Sequence, residues 1–237
     1  LTRLYLIVTV LAAAITFVVH RLWPRDGNSA WSDAPSGLTL RAALAEIAQP
    51  AVSARVALLG VISCGSTLNM ALVGLVFTSV GGRPEGDVAL FVGLFAGLEV
   101  PFMLVTPWLL RHVDKTLLIA AGGVIYGVNL ILLAPLSDTA FVWLLVLPAA
   151  AGGAIYLSVP IAYLQDLLAS RPGTGSSLMA LQRISGEGTA ALAFIVGTAL
   201  SGYGLAAVFG ALAAALGGAA LLWIDRAQRQ SKKPFGA

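Results

Sequence analysis

An acid that interrupts a run of 23 otherwise uncharged residues is the first candidate for chemistry in this chain of 237 residues. Glu99 stands almost midway through Val88–Leu110. In hydrocarbon that is the depth at which a carboxylate is most costly, and intramembrane acids there mark solute and proton pathways. Pro101, two residues on, removes one helical hydrogen bond beside the acid. Gly93 and Gly97 have the spacing that lets helices approach closely. A second charged set follows downstream. Arg183 and Glu187 are four residues apart and so share one helix face, and in lipid such a pair is expected to point into a bundle. It either neutralises itself or switches as solute binds and a proton moves. Asp166, near the end of the preceding span, is a rival partner for Arg183 and a candidate gate latch. At 1.5 Å per residue, Arg183 lies roughly 10 Å and Glu187 roughly 15 Å inside their helix, so Glu187 is the one expected to line a cavity. Asn69, Asn129, Gln165 and Gln182 complete the polar inventory. They bind the hydroxyls of a solute or hold helices together, the latter at about 0.6 kcal/mol each.

Other chemistries find no residues. His20 and His112 lie at helix ends without ligand-like neighbours, so no metal site is expected. No HExxH, GxSxG or paired intramembrane aspartate is present, which argues against a membrane protease and against an enzyme in general. A retinal protein needs a lysine in its last helix, and Leu205–Ile224 has none. The glycines form no phosphate loop, so no cofactor is expected, and nucleic acid is not among the expected partners. The single cysteine, Cys64, excludes an internal disulfide.

The elements that must carry these residues are membrane spans. Hydrophobic residues make up 58 % of the chain and charged residues 11 %, with a mean hydropathy of +0.90, so the expected solvent is lipid. Residues 1–23 are expected to hold a first span, and 24–55 a polar segment with a short amphipathic helix at 38–49, ended by Pro50. Six further spans then fall within 56–224: Val56–Val80, the Glu99 span, Thr116–Leu136, Thr139–Leu168, Ser176–Leu200 and Leu205–Ile224. Residues 225–237 read as a basic tail. With the polar segment inside the cell, eleven of the fourteen lysines and arginines lie inside, two lie outside, and Arg183 is intramembrane. That bias sets the orientation, with the C-terminus cytoplasmic. The chain opens at Leu1 on an apolar stretch and reads as part of a longer protein.

One span, a long inner segment and six tightly connected spans match the middle of a two-half transporter whose halves each contain inverted three-helix repeats. Glu99 falls in the middle helix of the first triplet, Arg183 and Glu187 in that of the second. The run Ala96-Gly97-Leu98-Glu99-Val100-Pro101-Phe102-Met103-Leu104 resembles the AGLEIPxML stretch of bacterial sugar efflux transporters, a branch of the major facilitator superfamily. Tyr163-Leu164-Gln165-Asp166-Leu167, followed by Pro172, Gly173, Gly175 and Ser176-Ser177-Leu178, is similar to that family's YFQDLMPGxxGSATTL segment. Arg183 falls on the arginine of its SRVG motif, although Gln182 precedes it and Ile184-Ser185-Gly186 follows. Arg111–Lys115 resembles the charged turn between helices eight and nine. Glu187 departs from the family's pattern. The resemblance implies an all-α polytopic membrane bundle in which 56–224 is the C-terminal half and 1–23 the last helix of an N-terminal half not contained in this chain. It also implies proton-coupled, alternating-access efflux of a sugar or similar small solute across the inner membrane. A non-transporting membrane scaffold on the same helices is the alternative.

Overall fold

The computed structural model describes residues 2–22, 45–167 and 174–231. The expected surface helix at 38–49 therefore falls mostly outside the described residues, which show helix at 45–47 and a turn before Pro50. Lys232 and Lys233 of the expected tail, and the 169–173 part of the expected loop at 169–175, lie outside them as well. Every regular element described is helical. Helix α1 is Thr2–Leu22, which matches the first expected span over the described residues; Trp23 lies outside them. Within it, the Arg21 guanidinium lies 5.3 Å from the centre of the Phe17 ring.

Six more helices form a unit of their own within 40–237. Helix α2 is Pro50–Leu75, with proline at its first position, where a missing N–H costs nothing. It widens into a π-helical turn at Val76–Val80. Helix α3 is Glu85–His112, with Glu85 and Asp87 in its first turn and Arg111 and His112 in its last, as the helix dipole favours. Helix α4 is Lys115–Leu136, capped by Asp114, whose carboxylate accepts from the Thr116 N–H at 2.9 Å. A 3-10 turn, Ala140–Leu145, leads into α5, Val146–Leu167. Helices α6, Thr174–Ser201, and α7, Tyr203–Ser231, are separated only by Gly202, whose φ of +88° suits a residue without Cβ. All six are long and apolar enough to cross a membrane. The chain is an all-α bundle with the make-up of a multi-pass membrane protein.

The span boundaries expected from hydropathy hold to within a few residues, with two differences. Helix α2 starts six residues early, at Pro50. Helix α7 runs on through Asp225, Arg226 and Arg229 to Ser231, where a tail was expected from Asp225. It persists because Asp225 is satisfied by groups on three other helices, described below.

Packing pairs the helices regularly. Helix α2 packs on α6 and α7, α5 packs on α3 and α4, and α4 meets α7 in the broadest contact. The α2–α6 and α2–α7 contacts are thus matched by α5–α3 and α5–α4, whereas the broad packing of α6 on α7 has no counterpart between α3 and α4. Gly123 and Gly127 let α4 approach α7, with Ala214 and Ala211 against them. Gly93 and Gly97, by contrast, face open space. Among the described residues no helix makes the close contact expected of them, because α3 turns that face away from α5. Only 11 % of the apolar window of α3 and 22 % of that of α6 are buried, against 56 % for α2, α4 and α5. These two helices carry Glu99, Arg183 and Glu187.

Candidate functional site

The middle of the bundle holds an open cleft of about 770 Å³ between α2, α3, α5 and α6. Four of the eight residues singled out in the sequence meet there: Glu99, Gln182, Arg183 and Glu187. Counting along the helices at 1.5 Å per residue, Glu99 lies about 20 Å from the His112 end of α3 and Glu187 about 20 Å from the Thr174 end of α6. These ends lie on the same side, so the two acids sit at one depth and Arg183 lies a turn nearer that side.

Arg183 Nε donates to Glu187 Oε1 at 2.7 Å. The pair forms as its spacing requires, yet it is not enclosed. The Arg183 side chain is 81 % exposed and that of Glu187 52 %, so both stand in the cleft mouth rather than in the bundle core. Glu99 is half-buried, and among the described residues nothing donates a hydrogen bond to its carboxylate. Its carboxyl lies flat against the backbone of α5 at Gly153. A Cβ on that glycine would overlap Glu99 Oε1, lie 2.8 Å from Cδ, and crowd the Phe95 ring at 3.1 Å. Gly153 is therefore the seat of the acid. One further polar atom on the cleft wall, Gln182 Oε1, is buried with no partner among the described residues, on a residue 6 % exposed. A buried polar atom left without a hydrogen bond costs free energy, which makes this one a ready acceptor for a ligand. The Tyr156 ring lines the cleft, but its hydroxyl, also partnerless among the described residues, lies against Gly123 of α4.

The other four residues are elsewhere. Asn129 Nδ2 donates to Asn69 Oδ1 at 2.7 Å, joining α4 to α2. Both are fully buried and neither lines the cleft. This geometry fits the helix-holding role. Gln165 is exposed on the last turns of α5 and does not reach the cleft. Asp166 accepts from Lys115 Nζ at 2.6 Å, and Lys115 also reaches the Ala162 carbonyl at 3.3 Å. Lys115, not Arg183, is the partner of Asp166, because the two lie at the same end of adjacent helices.

That end holds a polar network. Arg55, 3 % exposed, donates through Nε to Asp225 Oδ1 at 2.9 Å, through Nη2 to Gln228 Oε1 at 2.7 Å and through Nη1 to the Ala51 carbonyl at 2.7 Å. Asp225 also accepts from the Thr116 hydroxyl at 2.7 Å and the Tyr163 hydroxyl at 3.0 Å. One carboxylate thus ties together α2, α4, α5 and α7. Beside it, Asp114 pairs with Arg229. Burial pushes the Asp114 carboxyl up, but the hydrogen bonds from Arg229 and the Thr116 N–H outweigh it and hold the carboxyl below its ordinary value. At the opposite end, Arg83 donates to the Ser137 and Thr139 carbonyls, both at 2.5 Å, and pairs with Asp87 at 3.1 Å. It lies within cation–π reach of Phe77 and Trp143, so the α2–α3 and α4–α5 turns are clamped together.

Sequence reading missed Gly153, Tyr156 and the Arg55–Asp225 network. Tyr156 and Gly153 sit in an apolar run without charge to draw notice. Arg55 and Asp225 each flank a span as an isolated charge, and two isolated opposite charges on the same expected side were the available signal.

In comparisons with family models, curated proteins and solved structures, nothing matches this chain.

Proposed function

We propose that the chain is the C-terminal half, with one preceding span, of a secondary transporter of the major facilitator type. It moves a sugar or similar small polar solute by alternating access, coupled to protons and directed outward. The observation that carries this reading is the cleft. It lies at mid-depth, brings the acid of one triplet's middle helix to the ion pair of the other's, and takes its walls from the first helix of each triplet. The two matched pairs of contacts between the triplets, α2 on α6 and α7 as α5 on α3 and α4, support an inverted repeat, since three spans per repeat reverse the direction of the second. In this reading α1 is a seventh span and the Arg55 end faces the cytoplasm, with the C-terminus, as the basic residues direct. A second six-helix half covers the open faces of α3 and α6, including Gly93 and Gly97, and closes the cleft.

Glu99 is the proton-coupling group. It is an unpaired acid against a helix that leaves it room, while Arg183 balances Glu187. Asp166 and Lys115 act as a latch between α5 and α4 at the cytoplasmic end. The alternative, a membrane scaffold, draws on the same open faces of α3 and α6, which would serve a protein partner equally. Solute counterflow in proteoliposomes holding the intact protein separates the two. Transport is expected, with pH-driven efflux lost and membrane abundance kept in Glu99→Gln. A protein that inserts but exchanges no solute refutes transport.

A further inference from the structure

The cleft specifies the charge of what it takes, and this inference rests on the transport reading above. Its lining carries two carboxylates and one guanidinium. The guanidinium is committed to Glu187 at 2.7 Å, which leaves one carboxylate, Glu99, without a counter-charge among the described residues. The unfilled capacity of the buried wall has the same sign. Gln182 Oε1 is buried on the cleft with no partner among the described residues, and an amide oxygen accepts hydrogen bonds. The donors of Arg183 lie instead in the exposed mouth. A ligand that satisfies this wall brings N–H and O–H groups and one positive charge.

The remaining surface sets the body of the ligand. Met70, Leu157 and Met179 give the cleft apolar stretches, and thioethers adapt to varied shapes. A volume of about 770 Å³ suits a small organic molecule. We propose that the cleft selects a small ammonium-bearing solute, its N–H groups on Glu99 and its neutral hydroxylated body against Gln182, Tyr156 and the methionines. A neutral solute of the same size would leave Glu99 desolvated without compensation. An anion would meet a net negative site.

The groups that face Glu99 are Tyr156 from α5, Tyr126 from α4, and Arg183 and Glu187 from α6. Among the described residues none is an unpaired cation, so an ammonium and a proton compete for the same carboxylate. Cation binding and proton loss then become one exchange, with the proton leaving Glu99 as the ammonium arrives.

Three near-isosteric probes test the charge directly: tyramine, which is a cation at neutral pH, the neutral tyrosol, and the anion 4-hydroxyphenylacetate. Binding is measured by calorimetry on the intact protein in lipid nanodiscs, with empty discs subtracted. Tyramine is expected to bind at least tenfold more tightly than tyrosol, and 4-hydroxyphenylacetate more weakly still. Glu99→Gln should remove at least tenfold of the tyramine affinity and leave tyrosol unchanged. Gln182→Leu should weaken tyramine and tyrosol together. Equal affinity for tyramine and tyrosol in the wild-type protein, which requires no variant to fold, overturns the proposal. So does the absence of binding by any probe, or an equal loss for both in Glu99→Gln. Tyramine bound but not carried across a proteoliposome membrane defeats the transport reading and leaves charge selection standing. Tyrosol carried across the membrane and bound as tightly as tyramine does the reverse.

Discussion

Removing Arg55 should damage this bundle more than removing any other charge on it except that of Asp225. Its guanidinium is 3 % exposed and makes three hydrogen bonds to three different acceptors. Asp225, 13 % exposed, loses its one ion-pair partner among the described residues when Arg55 goes, and keeps the Thr116 and Tyr163 hydroxyls and the more distant charge of Arg229. Breaking a buried pair by deleting one partner costs about 3–5 kcal/mol, because the survivor remains charged and desolvated. Arg55→Met keeps most of the packed volume, so its loss measures the charge rather than a cavity. Asp225→Ala should cost more, since a carboxyl can be neutralised by taking up a proton and a guanidinium cannot shed one. The double change Arg55→Met with Asp225→Leu should recover most of the loss, as well-packed apolar replacements of buried pairs do. Unfolding in mixed micelles of rising SDS fraction, followed by tryptophan fluorescence, reads all three. A cost below about 1 kcal/mol for Arg55→Met is the range of a solvated surface pair and would refute the buried network.

Gly153→Ala should push the Glu99 carboxyl off α5 and into the cleft mouth, abolishing pH-driven transport while costing little stability, because Glu99 has open space to turn into. Glu99→Asp, one methylene shorter, should partly restore transport in that background, and failure of every acid length to do so would separate Gly153 from Glu99. The Asp114 carboxyl has a folded pKa below its unfolded one, so its contribution to stability is present above the unfolded value and is lost as pH falls through the folded one. Asp114→Asn should therefore flatten the acid limb of the thermal stability profile, and an unchanged profile would remove Asp114 from it. Cys64 is buried, so single cysteines introduced at Glu85 and His112 report topology without background. An impermeant reagent should label the first in intact cells and the second only in opened ones, and the opposite pattern would invert the bundle.

The sequence by itself determined the apolar make-up of a membrane protein, the six spans from α2 to α7 and the presence of charges within them. Each of these depends on local composition. Twenty or so apolar residues need lipid whatever they pack against, and a charge among them is conspicuous at any tertiary arrangement. The Arg183–Glu187 pair was legible for the same reason, since a four-residue spacing brings side chains together on any helix. Which way that pair faces was decided by tertiary structure, because the rotation of a helix that is apolar on nearly all sides is set by its neighbours. Rotation and register also took Asn69 and Asn129 out of the cleft and onto each other. The same packing gave Asp166 to Lys115 and laid Glu99 against Gly153, whose lack of a Cβ has meaning only where another chain segment needs the space. The network around Asp225 joins residues up to 173 positions apart in sequence. Its members carry no periodicity or motif in common, so only the folded bundle brings them together.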